Sequence, residues 1–97
     1  MDKPISELLS KEAILEQCAE ECVELAHACL KMARKLRGEN HTPKTEDEIY
    51  NELVEEIGDV LLSSHVVVEA LEIPHEAIDS MYMTKENRWL KRINENN

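Results

Sequence analysis

Apolar residues recur at alternating intervals of three and four positions through the first third of the chain. This spacing places them along one side of an α-helix and predicts a long amphipathic helix from about Ser10 to Leu36. The stripe consists of Leu15, Cys18, Cys22, Leu25, Cys29, Met32 and Leu36. The chain has only two Gly and three Pro, so a turn-rich β-sandwich and a Gly-rich phosphate loop are both excluded. The pattern favours an all-α fold.

A second helix is predicted after a loop. Gly38 stops the first helix, and the segment from Gly38 to Lys44 has the composition of a loop. Thr45 and Glu48 have the spacing of a capping box, which marks a helix start. The apolar stripe of this helix is expected at Leu53, Ile57, Val60, Ser64, Val67 and Leu71.

Pro74 ends or kinks the second helix, and a third helix is predicted from about His75 to Ile93. Pro4 can start a short leading helix, and the tail from Asn94 to Asn97 is expected to fray. Gly58, in the middle of the second helix, predicts the close approach of another helix. The predicted architecture is an antiparallel helical hairpin plus a third helix.

The length and the charge limit the functional classes. Ninety-seven residues make a single domain, and an open helical fold of this length often completes its core by oligomerising. A net charge of −10 argues against binding to polymeric nucleic acid, but not against a small phosphorylated ligand that arrives with a divalent cation. We expect no membrane span, because the apolar stretch from Val60 to Ile73 is short and interrupted by charge. Three cysteines on helical spacing and no visible signal peptide predict a cytoplasmic protein.

Two acidic pairs are the main functional signal. Glu21 and Glu24 lie three residues apart on the first helix, and Glu56 and Asp59 have the same spacing on the second. Each acid directly precedes a stripe residue, so in an antiparallel hairpin the two pairs are expected along one edge. Pairing Glu21 with Asp59 and Glu24 with Glu56 puts the turn near residue 40, inside the predicted loop.

Four converging carboxylates form a site of hard oxygen ligands, which suits Mg²⁺, with Mn²⁺ as an alternative. Such a site neutralises phosphate oxygens and activates water for attack on phosphorus. Glu20, Glu52 and Glu55 are candidate general bases, and spacing does not choose among them. The competing interpretation is a solvated acidic face.

The sequence contains Glu-Glu-x-x-Glu at Glu20, Glu21 and Glu24, followed by Glu-x-x-Asp at Glu56 and Asp59. This double pattern resembles the signature of the MazG-like all-α nucleoside triphosphate pyrophosphohydrolases. The resemblance covers about residues 10 to 92. It implies that Glu21, Glu24, Glu56 and Asp59 are metal ligands.

It also implies phosphate contacts by Lys85 and Arg88, with Asn87 near the sugar or base. A homodimer or homotetramer is implied as well, whose packed helices form a four-helix-bundle core with sites near subunit interfaces. The expected activity is conversion of a (deoxy)nucleoside triphosphate to the monophosphate and pyrophosphate. Two alternatives remain open: a phosphoribosyl-ATP pyrophosphohydrolase-like enzyme, and a non-catalytic helical interaction module.

Overall fold

A computed structural model describes residues 2–39 and 43–96 of the chain. Four α-helices follow one another: α1 (Ile5–Leu8), α2 (Lys11–Leu36), α3 (Glu46–Ala70) and α4 (His75–Glu95). No strand occurs in these residues, so the predicted all-α class is confirmed. Part of the predicted loop between Gly38 and Lys44, and Asn97 of the predicted tail, lie outside the described residues.

The helix ends follow the capping signals in the sequence. The Ser10 hydroxyl accepts a hydrogen bond from the Ala13 amide at the start of α2, and Thr45 and Glu48 form the complete capping box at the start of α3. Gly38 follows α2 with a φ of 74°, a left-handed conformation that glycine adopts without strain. The expected fraying from Asn94 was wrong in part, because α4 continues through Glu95.

Helices α2 and α3 pack against each other as an antiparallel hairpin, but α2 uses a different face than its stripe predicted. On α3, four of the six predicted stripe residues are half-buried: Leu53, Val60, Ser64 and Val67. The buried side chains are Ile14 and Ala28 of α2 and Ile49 and Val66 of α3. The predicted stripe members Cys18, Leu25 and Met32 are half-buried at the contact, whereas Leu15, Cys22, Cys29 and Leu36 are exposed. Where a predicted stripe residue of α2 is exposed, the residue one position earlier lies in the seam between α2 and α3 instead. One position corresponds to a rotation of about 100° around the helix.

This rotation leaves a second apolar surface on the hairpin. We call it the outer face; its residues are Leu15, Ala19, Cys22, Ala26, Cys29 and Leu36 of α2 and Tyr50, Val54, Ile57 and Leu61 of α3, all exposed. On each helix these residues lie next to the seam, on the side reached by the residue that follows a seam residue. In an antiparallel pair of helices, these two sides lie on the same side of the hairpin. The outer face is thus continuous across both helices.

Helix α4 lies apart from the hairpin, and every one of its residues is exposed. The radius of gyration is 17.2 Å, whereas a compact domain of this length has about 12.5 Å. The accessible surface is 7897 Å², compared with about 5,700 Å² for a compact monomer of this mass. One chain therefore exposes far more surface than a closed domain does.

None of the described helices has the length and apolar character needed to cross a membrane.

Helix α1 is attached to α3. The Ser6 hydroxyl donates to Glu69 Oε2 at 3.3 Å, and the other oxygen of Glu69 lies 2.8 Å from His65 Nε2. These contacts hold α1 against the last turns of α3, beside the start of α2.

The expectation for Gly58 was wrong within one chain, since a Cβ atom built there has no neighbour within 4 Å. The Gly58→Ala variant should therefore increase the free energy of unfolding by about 0.5–1 kcal/mol, because alanine is the better helix former. Urea denaturation at fixed protein concentration measures this change. Gly38→Ala is the control and should destabilise the protein, since its φ is positive. A loss of stability in Gly58→Ala would contradict the open environment of this position.

Candidate metal centre

The hairpin brings the two acidic pairs together. Carboxylate oxygens of Glu21, Glu24 and Glu56 lie within 4.8 Å of one another, so three side chains from two helices converge on one point. Asp59 is near enough to perturb both Glu21 and Glu56 electrostatically. We call these four residues the acidic cluster.

The contacts within the acidic cluster follow the register predicted from loop length. Asp59 is one of the neighbours that raise the pKa of Glu21, and Glu24 is the first of the charged neighbours that raise the pKa of Glu56. The predicted pairing of Glu21 with Asp59 and of Glu24 with Glu56 is confirmed. The register succeeded because loop length and antiparallel packing fix which turns of the two helices are level.

The predicted position of the acids at the edge of the hairpin was wrong for Glu21 and Glu56. Both occupy the seam between α2 and α3, and Glu21, Glu56 and Asp59 are half-buried while Glu24 is exposed. Glu21 Oε2 and Glu56 Oε2 are buried oxygens with no hydrogen-bond partner among the described residues. A buried, unpaired carboxylate oxygen is costly unless a cation or a proton satisfies it.

Electrostatics at the acidic cluster disfavour the ionised state. Partial removal from water, followed by the charges of Glu24 and Asp59, raises the pKa of Glu21 above its ordinary value. The same causes raise the pKa of Glu56, where Glu21 adds further repulsion. A divalent cation bound between these carboxylates would reverse this tendency. The donor set of anionic oxygens fits Mg²⁺ or Mn²⁺.

Gln17 supports the acidic cluster and was not predicted from the sequence. Its amide nitrogen donates to Glu21 Oε1 at 2.8 Å, which orients that carboxylate and partly offsets the rise in its pKa. Gln17 lies one helical turn before Glu21, and this i, i+4 spacing was the available signal.

Of the three candidate general bases, Glu52 is already paired. It accepts hydrogen bonds from Lys31, at 3.4 Å, and from Lys44. The bond from Lys44 is the main cause of a pKa of Glu52 below its ordinary value, which makes this carboxylate a weaker base. Glu20 and Glu55 are exposed on α2 and α3. Glu52 therefore fits a structural role at the loop end of the hairpin better than a catalytic one.

The predicted substrate-binding residues Lys85, Asn87 and Arg88 lie on α4, away from the acidic cluster of the same chain. All three are exposed, and no residue of α4 is among the groups that perturb the pKa of Glu21 or Glu56. Lys85 and Arg88 instead flank a shallow surface groove of about 500 Å³ with Trp89, Lys91, Arg92 and Glu95. A single chain therefore does not bring Lys85, Asn87 and Arg88 to the acidic cluster.

A cavity of about 240 Å³ adjoins the acidic cluster and was not predicted. Helix α1 and the residue after it form one side through Ile5 and Leu9, and the hairpin forms the rest. The remaining lining residues are Ile14, Gln17, Glu21, Asp59, Leu62, Ser63 and Val66. Apolar walls next to a polar cluster are typical of small-molecule sites.

Comparisons of the chain with models of protein families, with curated proteins and with solved structures gave no match.

The raised pKa values predict a specific pH dependence of stability. A carboxyl group whose pKa is higher in the folded state stabilises the fold at low pH, and this contribution is lost as the pH rises through the folded-state pKa. In metal-free buffer, Glu56→Gln should therefore melt a few degrees above the unmodified protein at neutral pH, and the difference should vanish near about pH 4. Thermal unfolding across this pH range measures the effect.

Glu16→Gln, an exposed change on α2, is the matched control and should shift the melting temperature little at any pH. The repulsion in the acidic cluster is refuted if Glu56→Gln is destabilised at neutral pH without metal.

Proposed function

We propose that the chain is a Mg²⁺-dependent nucleotide pyrophosphohydrolase, which converts a (deoxy)nucleoside triphosphate to the monophosphate and pyrophosphate. The observation that carries the proposal is the convergence of Glu21, Glu24 and Glu56 within 4.8 Å, with Asp59 beside them. A solvated acidic face would spread these charges apart, whereas here carboxylates from two helices converge on one point. The resemblance to MazG-like enzymes at these same residues supports the same function.

When bound, Mg²⁺ supplies charge neutralisation for phosphate oxygens and activation of a water molecule for attack on phosphorus. The buried oxygens of Glu21 and Glu56 that lack partners would hold the ion, with Glu24 and Asp59 completing the set. Mn²⁺ would fit the same ligands.

The remaining steps are assigned to side chains of the protein. Gln17 keeps the Glu21 carboxylate oriented through its amide. Glu20 and Glu55 are the proposed acceptors of the proton of the attacking water, since Glu52 is held by two lysines. Attack of that water on the α-phosphorus forms one P–O bond and breaks the bond to the bridging oxygen, which leaves with pyrophosphate.

We propose further that the active form is a homodimer or homotetramer in which the outer face and α4 are covered by another copy. The excess surface, roughly 2,200 Å² by the comparison with a compact monomer, is of the size that one subunit contributes to an obligate interface. A second copy also supplies the basic residues that the acidic cluster lacks within one chain: Lys85 and Arg88 would reach phosphates bound at the partner's acidic cluster.

Activity is predicted to require the acidic cluster. With Mg²⁺ and a panel of nucleotides that includes phosphoribosyl-ATP, the chain should release pyrophosphate from at least one substrate. Glu21→Gln and Glu56→Gln should each lower kcat/KM more than about 100-fold, beyond the loss usual for residues that only support metal ligands. Glu16→Gln, on the exposed side of α2, should retain the activity of the unmodified protein.

If no nucleotide in the panel releases pyrophosphate, the result would favour the non-catalytic interaction module instead. Hydrolysis of phosphoribosyl-ATP alone would keep the metal chemistry and change the substrate.

The proton acceptor is tested by substituting its candidates one at a time. Glu20→Gln or Glu55→Gln should lower kcat by about 100-fold or more, with a smaller effect of Glu52→Gln on kcat. Steady-state kinetics separate kcat from KM. Unchanged turnover in all three variants would show that no protein carboxylate outside the acidic cluster acts as the base.

Assembly is predicted to depend on the outer face. Leu61 is 67% exposed in one chain, so Leu61→Lys should leave the hairpin folded but dissociate the oligomer. Asn51→Lys introduces the same charge on the polar side of α3 and is the control. Light scattering gives the mass, and emission from Trp89, the single tryptophan, should shift to longer wavelength if dissociation uncovers it. A monomeric unmodified protein at micromolar concentration would contradict the proposal.

A further inference from the structure

The cavity beside the acidic cluster has a chemical character that the metal chemistry does not explain. Its walls are mainly apolar, formed by Ile5 and Leu9 on one side and by Leu62 and Val66 on the other. Triphosphate groups would gain nothing from such walls. The cavity suits an uncharged and largely apolar part of a ligand.

The polar groups in the cavity mostly accept hydrogen bonds. The Ser63 hydroxyl donates its proton to the Val60 carbonyl at 3.3 Å, so toward a ligand its oxygen is an acceptor. Gln17 directs its NH₂ group at Glu21 Oε1, and this orientation leaves its carbonyl oxygen available. A ligand group in this cavity is therefore best matched if it donates hydrogen bonds.

Size and position limit the occupant further. A volume of about 240 Å³ is below the range of about 300–1,000 Å³ typical of sites for whole drug-sized ligands. This volume is closer to that of one ring system than to that of a complete nucleotide. Glu21 and Asp59 belong both to the cavity wall and to the acidic cluster, so a ligand can occupy the cavity while its charged end lies at the carboxylates.

We propose that this cavity binds the base of the nucleotide substrate and selects bases that carry an exocyclic amino group, with Ser63 and Gln17 as the acceptors. This specificity rests on the proposed function, since the phosphates of the same molecule are placed at the acidic cluster. A base with a carbonyl group at the same position would direct an acceptor at acceptors, leaving both sides unpaired.

The test compares matched nucleotide pairs with the full chain and Mg²⁺. Cytosine and uracil deoxynucleoside triphosphates differ in an amino group against a carbonyl group and in the proton on the adjacent ring nitrogen, and adenosine and inosine triphosphates differ in the same way. The amino member of a pair should be favoured at least about 10-fold in kcat/KM. Ser63→Ala should reduce this preference to less than about threefold, since one of the two acceptors is lost.

A second pair of variants locates the site. Leu9→Trp fills the cavity and should raise KM by about 10-fold or more, whereas Leu8→Trp, at a neighbouring exposed position outside the cavity lining, should leave kcat and KM unchanged. Equal hydrolysis within both nucleotide pairs, or a preference for the carbonyl members, would overturn the proposed selection. Unchanged KM in Leu9→Trp would overturn the location.

If no nucleotide is hydrolysed at all, the proposed function fails while the cavity remains testable by binding. Deoxycytidine monophosphate with Mg²⁺ should then shift the methyl resonances of Leu62 and Val66 in an NMR titration, and deoxyuridine monophosphate should do so only at about 10-fold higher concentration. Shifts of equal size at equal concentration, or none with either nucleotide, would overturn the inference independently of catalysis.

Discussion

Repulsion among four carboxylates, two of them in the seam of a helical hairpin, is the constraint on which the rest of the structure depends. Glu21 and Glu56 occupy positions that a stable hairpin would fill with apolar side chains, and each has a buried oxygen without a partner. Partial burial and mutual charge raise the pKa of both groups. Native proteins accept such local destabilisation mainly where function requires it. A bound divalent cation would convert this repulsion into attraction between the two helices.

The sequence predicted the helices and the level of the acids, but not the packed face. Capping residues such as Ser10 and Thr45 act locally, so helix ends could be read directly, and loop length fixed the register of Glu21 against Asp59. The face failed because α2 carries two apolar stripes one residue apart, and periodicity favours the more complete one. That stripe, with Leu15 and Cys22, is the exposed outer face, while the seam includes Glu21 itself. The cavity beside α1 could not be predicted, because it depends on contacts between distant elements, which no local sequence pattern indicates.

The exposed outer face and the exposed α4 have one common explanation in the proposed oligomer. A hairpin whose seam contains charges gains little from its own packing, and only Ile14, Ala28, Ile49 and Val66 are buried among the described residues. Covering the outer face with a second copy would supply the apolar burial that the seam lacks. The same association would bring the basic residues of α4 near acidic clusters. Catalysis would then depend on this assembly, which would also explain why Lys85 lies apart from Glu21 within one chain.

The most direct test of the account is the location of a divalent ion. Crystals of the protein grown or soaked with Mn²⁺ should give an anomalous scattering peak enclosed by the carboxylates of Glu21, Glu24, Glu56 and Asp59, and the peak should be absent from Glu56→Gln crystals treated in the same way. Anomalous density elsewhere, or well-ordered side chains at these four positions with no peak between them at saturating Mn²⁺, would contradict the central claim.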